Sequence, residues 1–280
     1  MAKTSMPSSE RATLRIKAIF AALFALAGCE NLQISSGGKT YDLGKAVRAT
    51  QGLSKAFYIS PESERQIGRD AAASLVGQLG MYDDESVTKY VNLVGLALAR
   101  KAQRKDVRWR FAVLNSKAVN AFSTPGGYVF ITKGLFKLCK DEAELAGVLA
   151  HEIEHVDRNH GINAVKLKFA ADGITELTEK NSKLVTEILA GIFQNGYSRD
   201  KELEADKYGV LLAANVGYDP KGLPRALKAQ HESAGQDVKK NASFNKRHPA
   251  FADRIRALSA LDVPDSGATL KKRFLANSDI

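Results

Sequence analysis

The sequence predicts an α+β chain that is mainly helical, with a small sheet. Val107, Trp109, Phe111 and Val113 alternate with Arg108, Arg110 and Ala112, the period-two pattern of a half-buried strand, and Tyr128 to Thr132 supplies a second short strand. Elsewhere helical spacing dominates, as at Val87, Tyr90, Val91, Val94 and Leu98. In chain order, Ser60-Pro61-Glu62 opens a helix, with proline in the first turn and an acid near the positive end of the dipole. A second helix runs from about Asp84 to Arg104. The two strands follow, separated by Asn120-Ala121-Phe122-Ser123-Thr124-Pro125-Gly126-Gly127, read as a turn-rich loop. Asp141 caps the next helix and Glu144 completes a D-x-x-E capping box, while Gly161 supplies the stop, which bounds this helix at 142–160. Residues 162–193 read as further helix, broken by Asn195-Gly196. Ser198 then caps a helix that ends near Gly217.

The chain has 280 residues, 44% hydrophobic and 26% charged, enough for one substantial domain with its own core. Its first 28 residues differ in kind. Lys3, Arg11, Arg15 and Lys17 precede an apolar run from Ala18 to Gly28, and Leu26-Ala27-Gly28-Cys29 then resembles a bacterial lipobox. That run is too short to span a bilayer but suits a secretory signal. The expected organisation is a lipoprotein signal peptide at 1–28, a flexible tether at 29–60 rich in Ser, Gly, Lys and Thr, the main folded domain at 61–260 and a tail at 261–280. Cys29 becomes the lipidated N-terminus. Glu30 is not the aspartate that retains enterobacterial lipoproteins at the inner membrane, so the expectation is an outer-membrane anchor on an otherwise soluble chain facing the periplasm.

Loss of four basic residues and one acidic residue with the signal lowers the net charge from +10 to +7. The remaining basic residues are scattered and lack an aromatic motif, so no nucleic-acid partner is expected. Cys139 is left as a lone thiol beside apolar sequence. It reads as a small buried hydrophobe, with no chemistry assigned.

His151-Glu152-Ile153-Glu154-His155 carries the chemistry. Positions four apart share a helix face, so the imidazoles of His151 and His155 converge on one metal ion while Glu152 flanks it, the geometry of a zinc hydrolase. A catalytic zinc needs a third protein ligand. Asp157 and His160 lie nearby, but His160 is five residues past His155 and on a continuous helix points about 140° away, as a helix-end residue would. Glu202 is the better candidate, because Glu202 and Asp206 share a face: one carboxylate binds zinc while the other accepts the free ring N–H of a ligand histidine.

HEIEHV with His160 beyond it, NAFSTPGGYVFITKGLF upstream, YSRDKELEADKYG and GYDP downstream, and RHPAFADRI at the end together resemble the HtpX-like gluzincin metallopeptidases. That family includes the CAAX prenyl proteases, the mitochondrial Oma-type proteases and the periplasmic BepA-like and LoiP-like proteases, and the lipobox brings this chain nearest the last group. The resemblance covers about residues 61–260 and implies a zincin-type domain holding one zinc ion per chain. It implies His151, His155 and Glu202 as ligands, Glu152 as general base and Asp206 as the carboxylate behind a ligand histidine. It places a substrate edge strand at Asn120, Gly126, Gly127 and Tyr128, bordering the metal-site helix. His248-Pro249 with Arg254 matches a C-terminal element whose histidine can reach the zinc, so His248 and Arg254 are expected as a latch or as oxyanion stabilisers.

The function this implies is a lipid-anchored zinc metalloendopeptidase of the bacterial envelope. Its partners would be unfolded or misassembled envelope proteins as substrates, the membrane through the N-terminal lipid, and the outer-membrane assembly machinery. A chaperone for outer-membrane proteins with a latched protease site is the alternative. A metal-independent scaffold is a third reading, against which the intact Glu152 argues.

Overall fold

The structure, a computed structural model, describes residues 33–36, 39–42, 59–172, 174, 179–236, 251–263 and 266–278. The chain divides into two compact units between Tyr58 and Ile59. In the first unit, β1 (Gln33–Ser36) and β2 (Lys39–Asp42) pair antiparallel, from Gln33 opposite Asp42 to Ser36 opposite Lys39, inside the stretch read as a tether. Cys29 lies outside the described residues.

The second unit begins with α1 (Pro61–Leu79), capped as expected by the Ser60 hydroxyl, which accepts from the Ser63 backbone N–H. Helix α2 (Glu85–Ala99) is capped by Asp84 and buries the Val87, Tyr90, Val91, Val94, Leu98 stripe. It stops short of the expected Arg104, because the backbone N–H groups of Gln103 and Arg104 turn to donate to Asp157 at 2.7 Å.

Three strands form a mixed sheet in the order β3-β5-β4. Strand β3 (Arg110–Leu114) runs parallel to β5 (Tyr128–Thr132), and β4 (Ala121–Thr124) runs antiparallel to β5 on its other side. Two expectations are corrected here. Strand β3 starts at Arg110 rather than Val107, since its pairing begins only where β5 does, at Tyr128. The segment read as a loop contains β4, which takes its ladder from β5 rather than from any alternation of its own.

After the short helix α3 (Lys133–Leu138) comes α4 (Glu142–Asp157), the spine of the domain. Its capping box forms with a small difference: Asp141 accepts from Glu144 N–H, but the Glu144 carboxylate reaches back to the N–H of Lys140. Every residue of α4 except Glu152 is buried. Around it lie the sheet, α2, α7 (Arg199–Asn215) and α8 (Gly222–Gln236). Glycines permit this close approach: a Cβ on Gly209 would stand 2.9 Å from the His151 backbone nitrogen, and one on Gly147 would stand 2.6 Å from that of Leu223.

Helix α4 ends at Asp157, not at residue 160. Asn159 takes a left-handed conformation (φ 56°) and a new helix, α5 (His160–Ala171), starts at once, with Gly161 inside it rather than serving as a stop. Helices α6 (Glu179–Asn195), α9 (Phe251–Ser259) and α10 (Lys271–Leu275) complete the described residues. None of the helices among those residues is long and apolar enough to cross a membrane. The result is the mainly helical α+β architecture expected, with β4 as the sheet edge that borders α4.

Candidate metal centre and substrate groove

His151 and His155 lie about one turn apart on α4, which brings their Nε2 atoms within 3.0 Å, and α7 delivers Glu202 beside them. Glu202 Oε2 lies 3.6 Å from His151 Nε2, and Oε1 lies 3.9 Å from His155 Nε2. All three residues are buried, and together they form the group of donors, among the described residues, that could hold a metal ion. These separations of 3.0, 3.6 and 3.9 Å bracket the roughly 3.3–3.6 Å between neighbouring donors that tetrahedral zinc bonds of about 2.0–2.2 Å require. Two imidazoles and one carboxylate are also the donor types that zinc prefers at a catalytic site.

The groups behind the donors are equally specific. Asp206, fully buried on α7, places Oδ1 2.9 Å from His151 Nδ1, with the ring N–H bent away from a straight line to the oxygen. Burial works against the Asp206 carboxylate, but the Arg254 guanidinium and then His151 outweigh it and hold the acid at about 2. Burial likewise draws both histidines towards the neutral form. At His155, next to His151, this prevails and the imidazole sits well below its ordinary value; at His151 the hydrogen bond and charge of Asp206 reverse it. The Tyr197 backbone N–H donates to Glu202 Oε1 at 3.1 Å, and the Tyr197 ring stacks on His155 with centroids 4.2 Å apart.

His160 departs from the expectation. The 140° rotation assumed one unbroken helix, and the left-handed turn at Asn159 breaks it. His160 therefore folds back over His155, with the two Nδ1 atoms 2.8 Å apart, and its Nε2 lies 3.3 Å from Glu204 Oε2. The signal was the second histidine spacing itself, which periodicity alone misdirected.

Glu152 is the half-buried residue of α4, and it faces an open groove lined by Ala121, Phe122, Ser123, Ile192, Phe193 and Tyr197 along with the three donors. The Ser123 hydroxyl on β4 donates to Glu152 Oε2 at 2.8 Å. Nothing in the sequence distinguished that serine, because its strand was invisible as a period. Across the groove, Phe193 of α6 meets Phe122 edge-on at 5.7 Å.

The expected substrate edge needs correction. Asn120 lines a small cavity beside His151 and Glu152. Tyr128, however, belongs to the central strand and is paired on both sides, with Arg110 and Thr124. Gly126 and Gly127, both at positive φ, form the hairpin tip and pack against Arg65 and Val107 rather than facing the groove. The bordering edge is β4. Arg254 sits behind the donors: Nε and Nη2 both donate to Asp206, and Nη1 lies 3.6 Å from Glu202 Oε2. His248 lies outside the described residues.

A buried HExxH helix, a third donor from a second helix and an edge strand beside them define a zinc-dependent metallopeptidase. Residues 85–262 match the model of Peptidase family M48, and the chain belongs to that family. It is 28% identical over 207 residues to the mitochondrial metalloendopeptidase OMA1 of Schizosaccharomyces pombe, covering 71% of this chain and 61% of that protein. It is 29% identical over 191 residues to the beta-barrel assembly-enhancing protease of Escherichia coli K12, covering 63% of this chain but 39% of that one. Similarity to the E. coli metalloprotease YcaL is 26% over 259 residues and spans 87% of this chain and 95% of the other. The chain thus spans under two thirds of the first two relatives and nearly the whole of the third.

Proposed function

We propose that the chain is a lipid-anchored zinc metalloendopeptidase of the bacterial envelope that hydrolyses peptide bonds in unfolded or misassembled envelope proteins. The observation that carries this reading is Glu152, the one residue of α4 not buried, set in the groove beside three buried donors. Zinc held by His151, His155 and Glu202 would supply Lewis acidity towards water and a peptide carbonyl. Glu152 takes a proton from the attacking water at its carboxylate and returns it to the departing amine. Ser123 fixes the orientation of that carboxylate.

An extended substrate lies along the outer edge of β4, where main-chain hydrogen bonds give affinity without demanding a sequence. That suits unfolded segments, and a relative named for beta-barrel assembly supports substrates of the envelope class. Of the two expected oxyanion donors, Arg254 has its guanidinium engaged with Asp206 and Glu202, so its role is to position those carboxylates. The latch or oxyanion role falls to His248. Cys29 supports the lipid anchor, and Glu30 after it supports the outer membrane as its place.

The test is an unbiased comparison of envelope protein fragments in cells carrying wild-type or Glu152→Gln protein. Fragments that depend on Glu152 support the reading, and identical fragment sets contradict it. Fatty-acid labelling separates out the anchor: label lost in Cys29→Ala supports lipidation, and an unmodified Cys29 thiol in the mature chain removes it.

A further inference from the structure

The edge of His155 that points away from the metal site is not solvated. It meets a second histidine, His160, which is 2% exposed, and through it an acid. We propose that His160 and Glu204 are positioning residues that fix the tautomer of His155, so that a bare Nε2 is aimed at the metal. This rests on the reading of His151, His155 and Glu202 as zinc ligands.

The proton positions follow link by link. Glu204 lies 2.8 Å from Lys201 Nζ and 3.1 Å from Arg158 Nη1, so two cations hold it as an ionised, accepting carboxylate. The Nε2 atom of His160, 3.3 Å away, can then only donate to it. A neutral ring protonated at Nε2 has a bare Nδ1. That bare nitrogen lies 2.8 Å from Nδ1 of His155, so His155 must donate there and keep its Nε2 lone pair for the metal. The reverse arrangement fails: a proton on His160 Nδ1 would push the His155 proton to Nε2, where it would block ligation.

His151 reaches the same end by a shorter path, with Asp206 against its Nδ1. The two ligand histidines therefore have different supports, a carboxylate for one and a histidine relayed to a carboxylate for the other. Their Nε2 atoms, 3.0 Å apart, both present lone pairs. Tyr197, stacked at an interplanar angle of 17°, holds the His155 ring by its face while His160 holds it by its edge. The arrangement depends on the left-handed turn at Asn159, whose side-chain oxygen accepts from Arg104 at 2.7 Å.

The experiment measures zinc affinity of the full chain by competition with a chromophoric chelator, for wild type, His160→Leu and His160→Asn. Leucine fills the space without an acceptor, whereas the Asn Oδ1 falls near the place of the histidine Nδ1. The expected result is a loss of about 10–100-fold in affinity for His160→Leu, with His160→Asn recovering most of it. Equal affinity in wild type and His160→Leu, or equal loss in both variants, would overturn the relay while leaving the zinc site standing. A wild type that binds no zinc would overturn the site reading and the relay with it. Nitrogen-15 NMR of the wild-type protein stripped of zinc by a chelator gives a check that requires no variant to fold: His155 protonated at Nδ1 supports the relay, and His155 protonated at Nε2 overturns it.

Discussion

Arg254 grips Asp206 with two parallel hydrogen bonds, Nε to Oδ2 at 2.6 Å and Nη2 to Oδ1 at 2.5 Å, and both residues are buried behind the ligand His151. Removing one partner leaves the other charge uncompensated in the interior, which typically costs about 3–5 kcal/mol. Arg254→Ala should therefore lower the urea unfolding midpoint sharply, and zinc affinity should fall with it because Asp206 loses its fixed position. An unchanged midpoint would mean that the pair does not hold α9 to α7.

The approach of α7 to α4 sets the distance from Glu202 to the two histidines. Alanine at Gly209 would bring its Cβ to 2.9 Å from His151 N and 3.0 Å from His151 Cα, backbone atoms that cannot swing aside. Gly209→Ala should cost about 1–3 kcal/mol of stability and also weaken zinc binding, by moving the third ligand outwards. Stability and metal affinity are read from one calorimetric titration series. Full retention of both would contradict the close packing.

Far from the metal, Glu142 is fully buried at the start of α4 and accepts from Tyr90 and Tyr218, each at 2.7 Å, and from Arg273 of α10. Phe274 beside it is buried against Tyr90 and Phe136, so the C-terminal segment clasps the base of the metal helix. Burial alone would raise the Glu142 carboxyl, but Arg273 and the two tyrosines outweigh it and lower it. A lowered folded-state value means stability that is present above the unfolded carboxylate value of about 4.3 and is lost as the pH falls below it. Arg273→Met should cost about 1–3 kcal/mol at neutral pH, less than a fully buried pair because Arg273 is half-exposed. Its deficit against wild type in chemical denaturation should shrink below about pH 4. A deficit independent of pH would assign the loss to packing.

In the proposed mechanism Ser123 acts only through Glu152. Ser123→Ala should lower kcat several-fold with KM little changed, since the hydroxyl orients the general base and contacts no substrate in this account. A large rise in KM at constant kcat would instead place Ser123 in substrate binding.

The parts of this molecule legible in the sequence were those written in local period and spacing. The apolar face of α2, the helix starts at Ser60 and Asp141, the pairing of His151 with His155 on α4 and that of Glu202 with Asp206 on α7 follow from residues three or four apart on one helix, whereas the meeting of the two helices was carried by the family resemblance. Strand β4 was not legible, because four residues of mixed polarity become a strand only against β5, and Ser123 was hidden with it. His160 was misplaced because one left-handed residue, Asn159, resets the helical phase, and no sequence period announces that reset. The resemblance places the sheet edge at Gly126, Gly127 and Tyr128, and the edge falls instead on β4 because strand order depends on long-range pairing, which no local motif encodes.

The central claim is that His151, His155 and Glu202 hold one catalytic zinc beside Glu152, and metal content tests it most directly. Elemental analysis of the purified mature protein should give about one zinc per chain in wild type and Glu152→Gln and far less in His155→Ala and Glu202→Ala, because two protein ligands bind weakly. Peptide hydrolysis in the same samples should survive only in wild type. Stoichiometric zinc in Glu202→Ala, or hydrolysis by zinc-loaded Glu152→Gln at the wild-type rate, would contradict the account.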